Sequence, residues 1–151
     1  MFLNVKFKTC IKILLVILIC FLLLLFSKFF DDTVVMTNEN FTEILKEYHD
    51  QPYKYEGTKI KTAGYIFRVK DLGEEQFVIA RDMLINEKES QIVGFLCEYP
   101  KASEVLNNEW VSAEGTLFVG NYHGPMPILK LTKIESIPKI NSPFVSPPTD
   151  F

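Results

Sequence analysis

The sequence predicts a mainly β protein: a five-stranded OB-like barrel preceded by one short amphipathic helix and one N-terminal transmembrane helix. Three observations predict it. An uncharged apolar run occupies residues 13–26, a single stretch with helical periodicity follows at residues 40–49, and five strand-like segments fill residues 59–134. The boundaries that follow are a membrane anchor at 1–30, a linker and helix at 31–52, the β-domain at 53–137 and a Pro-rich extended tail at 138–151.

The run from Ile13 to Phe26 carries no charge, and Ser27 extends it to Lys28. Fifteen helical residues reach only about 22 Å, short of the roughly 30 Å hydrocarbon core. Counting from Thr9 to Phe30 gives adequate length, with Lys12 and Lys28 near the ends, where their aliphatic stems let the ammonium groups snorkel to the headgroups. A cleaved signal peptide is the rival reading, since Lys6, Lys8 and Lys12 resemble its basic start. Cleavage needs small residues after the apolar stretch, and Ser27-Lys28-Phe29-Phe30-Asp31-Asp32 offers no such pattern. The lysines before the span orient its N-terminus toward the cytoplasm and the following domain outside it. The expected location is therefore the cell membrane, single-pass.

Asn40-Phe41-Thr42-Glu43 has the form of a capping box, with Asn40 as N-cap and Glu43 three residues on. Phe41, Ile44, Leu45 and Tyr48 then form one apolar helical face, and Pro52 ends the segment. That face either packs on the β-domain or rests on a membrane partner.

Lys59–Val69 partly alternates and contains Gly64, read as a bulge or bend in a curved first strand. Leu72–Glu75 is a turn, Gln76–Arg81 a second strand and Gln91–Tyr99 a third. Pro100–Asn107 is a turn or short helix, with Val105 and Leu106 facing inward. Trp110–Val119 and Pro127–Ile134 are the last two strands. A short helical connector between the third and fourth of five strands suits an OB-type barrel, whose closure hides most edges. An open β-sandwich or meander is the alternative.

Charge separates the parts. Residues 1–30 hold four lysines and no acid; residues 31–151 hold 12 basic and 19 acidic side chains, a formal −7. Such a domain is a poor partner for nucleic acid, where Lys/Arg neutralisation of phosphates supplies most non-specific affinity. Cys10 and Cys20 lie in the anchor, so Cys97 has no intradomain disulfide partner and reads as a small core residue.

Several stretches resemble the C-terminal domain of a bacterial family of unknown function, found mainly in Gram-positive bacteria, whose members are described as permease subunits. They are Phe41-x-x-x-Leu45 leading to Pro52-x-x-Tyr55-x-Gly57-Thr58-Lys59, Gly64-Tyr65-Ile66, Phe77–Arg81, Val93-Gly94-Phe95 and Trp110-Val111-x-x-Glu114-Gly115-Thr116-Leu117. Pro127–Lys130, Ile134-Glu135-x-Ile137 and Pro143-Phe144-Val145 complete the set, so the likeness spans about residues 40–147. The resemblance implies an anchored accessory protein working with a separate polytopic permease-like protein. Typical members carry more membrane sequence before the domain, and many have a vicinal Cys-Cys after the stretch matching Arg81. Here Ile85-Asn86-Glu87-Lys88 stands in that region, so chemistry belonging to such a pair does not carry over.

No catalytic motif is present: the chain lacks a phosphate-binding Gly-rich loop, HExxH and GxSxG. His49 and His123 have no Cys or His at ligand spacing, which points to no metal and no cofactor. Asp71, Glu74 and Glu75 read as a solvated turn. Tyr65, Phe67, Phe77, Phe95, Tyr99, Trp110 and Phe118 read mostly as core. Arg81 either orients a ligand carboxylate or forms a structural ion pair. The loop Gly120–Pro127 is the leading contact surface, because Tyr122, His123, Pro125 and Met126 are bulky groups flanked by Gly120 and Gly124 at the mouth where OB folds often bind; an ordinary hairpin loop is the alternative. The functional expectation is a non-catalytic membrane-anchored accessory subunit of a permease. The alternative is an independent anchored module of the tRNA-anticodon-binding-like OB superfamily, binding a small ligand, glycan or peptide.

Overall fold

The computed structural model describes residues 12, 14–19 and 32–149, and the chain divides into two units, residues 1–32 and 33–151. In the first unit residues 14–19 are helical, and Leu14 to Ile19 are all exposed. No helix among the described residues is long and apolar enough to cross a membrane. Lys12 is helical and exposed, while Lys28 and most of the expected anchor lie outside the described residues.

The second unit runs β1 (Val34–Val35), α1 (Phe41–Asp50), β2 (Lys59–Phe67), β3 (Gln76–Leu84), β4 (Ser90–Glu98), β5 (Trp110–Asn121), β6 (Pro125–Ser136) and β7 (Phe144–Val145). Short 3-10 turns occupy Pro52–Tyr55 and Ala102–Glu104. Strand β2 pairs antiparallel with β5 through Lys59–Tyr65 and with β3 through Tyr65–Phe67. Strands β3–β4 and β5–β6 are antiparallel, and β4–β6 are parallel over Leu96–Glu98. The five strands therefore close in the order β2-β3-β4-β6-β5-β2. One parallel pair closing an otherwise antiparallel five-stranded barrel is the OB arrangement, and it rules out the open sandwich or meander.

Alternation along β2 and β5 sends Ile60, Ile66, Val111, Ala113 and Leu117 into the interior, where Phe77, Ile79, Phe95 and Leu129 meet them. Of the seven strand aromatics, Phe77 and Phe95 are fully buried; the other five are half-buried. Helix α1 packs Phe41 and Tyr48 onto this core, with Ile44 and Leu45 partly buried, so the amphipathic face meets the barrel. Burying Phe41 alone contributes on the order of 1.5–3 kcal/mol.

The expected capping box does not form. The Asn40 side chain accepts from the Thr37 amide and donates to the Val35 carbonyl, and Glu43 accepts from the Thr149 amide instead. Gly64 carries no register shift; the bulge falls at Glu114/Gly115. Val105 packs against the core, but Leu106 is 70% exposed, because the 3-10 turn swings it outward. Two elements were not expected at all. Strand β1 adds parallel to β2, and β7, inside the tail expected to be merely extended, adds parallel to β3.

Thr62 is buried on β2 and its hydroxyl has no hydrogen-bond partner among the described residues. An unsatisfied buried hydroxyl costs about 1–3 kcal/mol. Thr62→Val removes the hydroxyl without emptying the site and is expected to raise stability by about 1 kcal/mol, read as an upward shift of the urea midpoint.

Candidate contact surface at the barrel mouth

The β5–β6 hairpin turns over Tyr122, His123 and Gly124. His123 has φ 58° and Gly124 φ 135°, the left-handed geometry that a tight turn requires and that glycine adopts without strain. The turn is fastened by Tyr122 N–H to the Gly124 carbonyl at 3.0 Å and Gly124 N–H to Asn121 Oδ1 at 3.2 Å. The turn is thus shorter than the loop expected at 120–127. Pro125 and Met126 already belong to β6, paired with Asn121 and Gly120.

The β2–β3 loop approaches the same end of the barrel. The Tyr122 hydroxyl donates to Asp71 Oδ2 at 2.5 Å, and His123 Nε2 lies 3.8 Å from the same oxygen. The Tyr122 and His123 rings meet edge-on with centroids 4.5 Å apart. His123 is 80% exposed, so a ring, a hydroxyl and a carboxylate sit together at a solvent-facing edge. These are the two loops through which OB barrels commonly meet ligands. The structure therefore joins Tyr122 and His123 to Asp71, a residue of the solvated turn expected from the sequence. Asp71 carries no signal of its own in the sequence; only the barrel topology, which sets these two loops side by side, could have found it.

The Tyr122 hydroxyl holds the Asp71 carboxyl below its ordinary range, and the same hydrogen bond raises the Tyr122 phenol. The contact is complete above the usual aspartate pKa and is lost as pH falls through the lowered Asp71 value. At the alkaline end it is lost as pH rises through the raised Tyr122 value. Tyr122→Phe should move the Asp71 pKa upward toward that of a free aspartate, followed by carboxyl-carbon NMR; an unmoved pKa would assign the shift to another group.

Arg81 is not at this surface. It is 2% exposed, and neither expected role fits it. Its guanidinium donates to Pro143 O at 3.0 Å, Ser142 O at 3.0 Å, Ala63 O at 3.2 Å and Asn38 Oδ1 at 2.5 Å. The rings of Phe41 and Trp110 lie 5.6 Å from its central carbon. No carboxylate forms an ion pair with it among the described residues. Burial pushes its pKa down. The position explains the contacts: β2 and β3 part company beyond Gly64, and Arg81 fills the split, tying both short edge strands' flanks to the barrel.

The remaining reactive side chains are similarly occupied. Burial pushes the Cys97 thiol up to about 12, so no thiolate is available near neutrality. His49 Nδ1 lies 2.7 Å from the Leu45 carbonyl on its own helix.

Comparison with known proteins gives residues 27–147 as a match to the DUF1980 C-terminal domain. The UPF0703 protein YcgQ of Bacillus subtilis (strain 168) is 25% identical over 127 residues, covering 80% of this chain and 44% of that protein. The chain thus spans less than half the length of that curated relative. Among solved structures, it is similar to OBody NL8 bound to hen egg-white lysozyme, at 14% identity and TM-score 0.36, over 56% of this chain and 98% of that one. It is also similar to a small single-stranded DNA-binding protein from Streptomyces coelicolor, at 10% identity and TM-score 0.34, over 54% and 93%. Neither score supports an argument, and the barrel assignment rests on strand order alone.

Proposed function

This chain belongs to the DUF1980 C-terminal domain family, and from that premise we propose that it is a non-catalytic accessory subunit held at the cell membrane. Its apolar N-terminal segment anchors it, and its OB-like barrel stands outside the cytoplasm beside a polytopic permease-like partner. The observation that carries the reading is the helical run Leu14–Ile19, six apolar side chains in succession, each at least 48% exposed. A helix apolar on every side has no face suited to water, and lipid or a neighbouring span is its natural surrounding. The domain beyond it has a formal charge of −7, a poor match for a polyanion.

Within this reading the barrel mouth, with Tyr122, His123 and Asp71, is the contact surface offered to the partner. The same mouth favours the second reading, an independent anchored module that binds a small ligand, glycan or peptide. The two part on one experiment. The full-length chain, purified in mild detergent, should bring a multi-span protein with it, and exchanging residues 9–30 for an unrelated span should abolish that recovery. Recovery of the chain from the soluble fraction would overturn anchoring. Membrane recovery with no multi-span companion would leave the binding module as the better account.

A further inference from the structure

Strand β4 has one edge that no strand covers. It pairs with β3 along its whole length, but with β6 only over Leu96–Glu98, so Ser90–Phe95 has no second strand among the described residues. No backbone–backbone hydrogen bond outside the strand ladders reaches those residues either. Phe95 is fully buried, so the reachable edge is Ser90–Gly94, about 17 Å of strand.

Folded proteins ordinarily protect such an edge with lysine, proline or a bulge, because it is a template for another strand. Helix α1 covers the Phe95 end, where the Tyr48 and His49 rings lie 6.3 and 6.0 Å from the Phe95 ring, but along Ser90–Gly94 none of these devices is present. Residues 90–97 contain no charge and no proline, and the β3–β4 register runs without a shift. Ile92 is 45% exposed. Beside the edge lies an open groove of about 470 Å³, walled by Leu45 and His49 of α1, Met83 of β3, Ile92 and Val93 of β4, and Pro148. Strand addition uses these two features together: main-chain bonds supply affinity and an adjoining apolar groove takes alternate side chains.

Charge sets what the occupant can be. The uncharged stretch is bracketed by Glu89 and Glu98 in a domain of formal charge −7. Lys46 on the groove wall is already paired with Asp50 at 2.8 Å. A second copy of the chain would bring acids to acids. We propose that an extended, apolar segment of another protein, with basic residues at its ends, adds to β4 as a strand along Ser90–Gly94. This inference does not depend on the anchoring reading and uses a different face from the barrel mouth.

The test uses the full chain in mild detergent and a fluorescein-labelled peptide of alternating valine and threonine with lysine at each end. Two copies carry backbone N-methyl groups on alternate residues, one copy for each edge. The expected result is saturable binding, retained by one N-methylated copy and weakened at least about tenfold in the other, because only one peptide edge faces β4. A glutamate-ended peptide should bind more weakly than the lysine-ended one. Amide hydrogen exchange should slow within Ser90–Gly94 when the peptide is bound. Equal binding by both N-methylated copies, no binding at all, or protection at another strand would overturn strand addition at β4. Equal binding of the glutamate-ended peptide would overturn the basic partner, and concentration-dependent protection of Ser90–Gly94 without peptide would make the occupant a second copy.

Discussion

Arg81→Met is expected to destabilise the barrel domain by about 3–5 kcal/mol and to release the segment around β7 from its place beside β3. The size follows from what is left behind. Replacing a buried ion by an apolar side chain is often tolerated when its partner is replaced too. Here three of the four partners are backbone carbonyls, of Ala63, Ser142 and Pro143, which no substitution removes. Each of these part-buried carbonyls loses a charge-assisted bond worth about 1 kcal/mol, and methionine regains only part of the packing against Phe41 and Trp110. Arg81→Lys keeps the charge but loses the planar fork that reaches four acceptors, so it should be intermediate. Urea unfolding measures the loss, and hydrogen exchange at Phe144 and Val145 reports release of the tail. A methionine variant within about 1 kcal/mol of the parent, with those amides still protected, would show that Arg81 is no clasp.

The same residue shows where sequence reading stops. Strands β2 to β6 were legible because each runs for nine residues or more: β2 and β5 alternate in burial, while β4 and β6 bury continuous apolar runs, Phe95–Cys97 and Pro127–Leu129. Strands β1 and β7 have two residues each and no period to read. The partners of Arg81 come from positions 18 to 62 residues away, and all but Asn38 are carbonyls, which every residue type supplies. A distant backbone acceptor leaves no mark in a sequence. The capping box failed for a related reason: Asn40 and Glu43 have the right spacing, but Val35, Thr37 and Thr149 claimed their side chains. At the mouth, Tyr122 and His123 were visible as bulky residues in a glycine-flanked turn. Asp71 became visible only once the barrel closed and brought the β2–β3 loop to them.

Gly94→Ala should be the most damaging glycine substitution in the barrel, at about 3 kcal/mol or more. A Cβ there would lie 2.2 Å from the Ile79 carbonyl oxygen and 2.9 Å from the Ala80 Cα, both backbone atoms. Strand β3 has little room to retreat, because on its other side it runs so close to β2 that a Cβ at Gly64 would lie 2.5 Å from the Ala80 oxygen. β3 is thus pressed between two glycines at Ile79–Ala80, and this close approach, rather than any left-handed backbone angle, is what both positions require. Two controls fix the interpretation. At Gly120 the nearest atom is Ile128 Cδ1, the end of a flexible side chain, so alanine there should cost less, about 1 kcal/mol. At Gly73 the nearest contacts are ordinary ones with the Gln76 side chain, at 3.5 Å and beyond, and the effect should lie within about 0.5 kcal/mol. Urea midpoints for the three variants should therefore fall in the order Gly73, Gly120, Gly94. If Gly94→Ala proved as mild as Gly73→Ala, β3 would have freedom that the Gly64 contact denies it, and the open edge of β4 would be a less rigid template than its pairing with β3 implies.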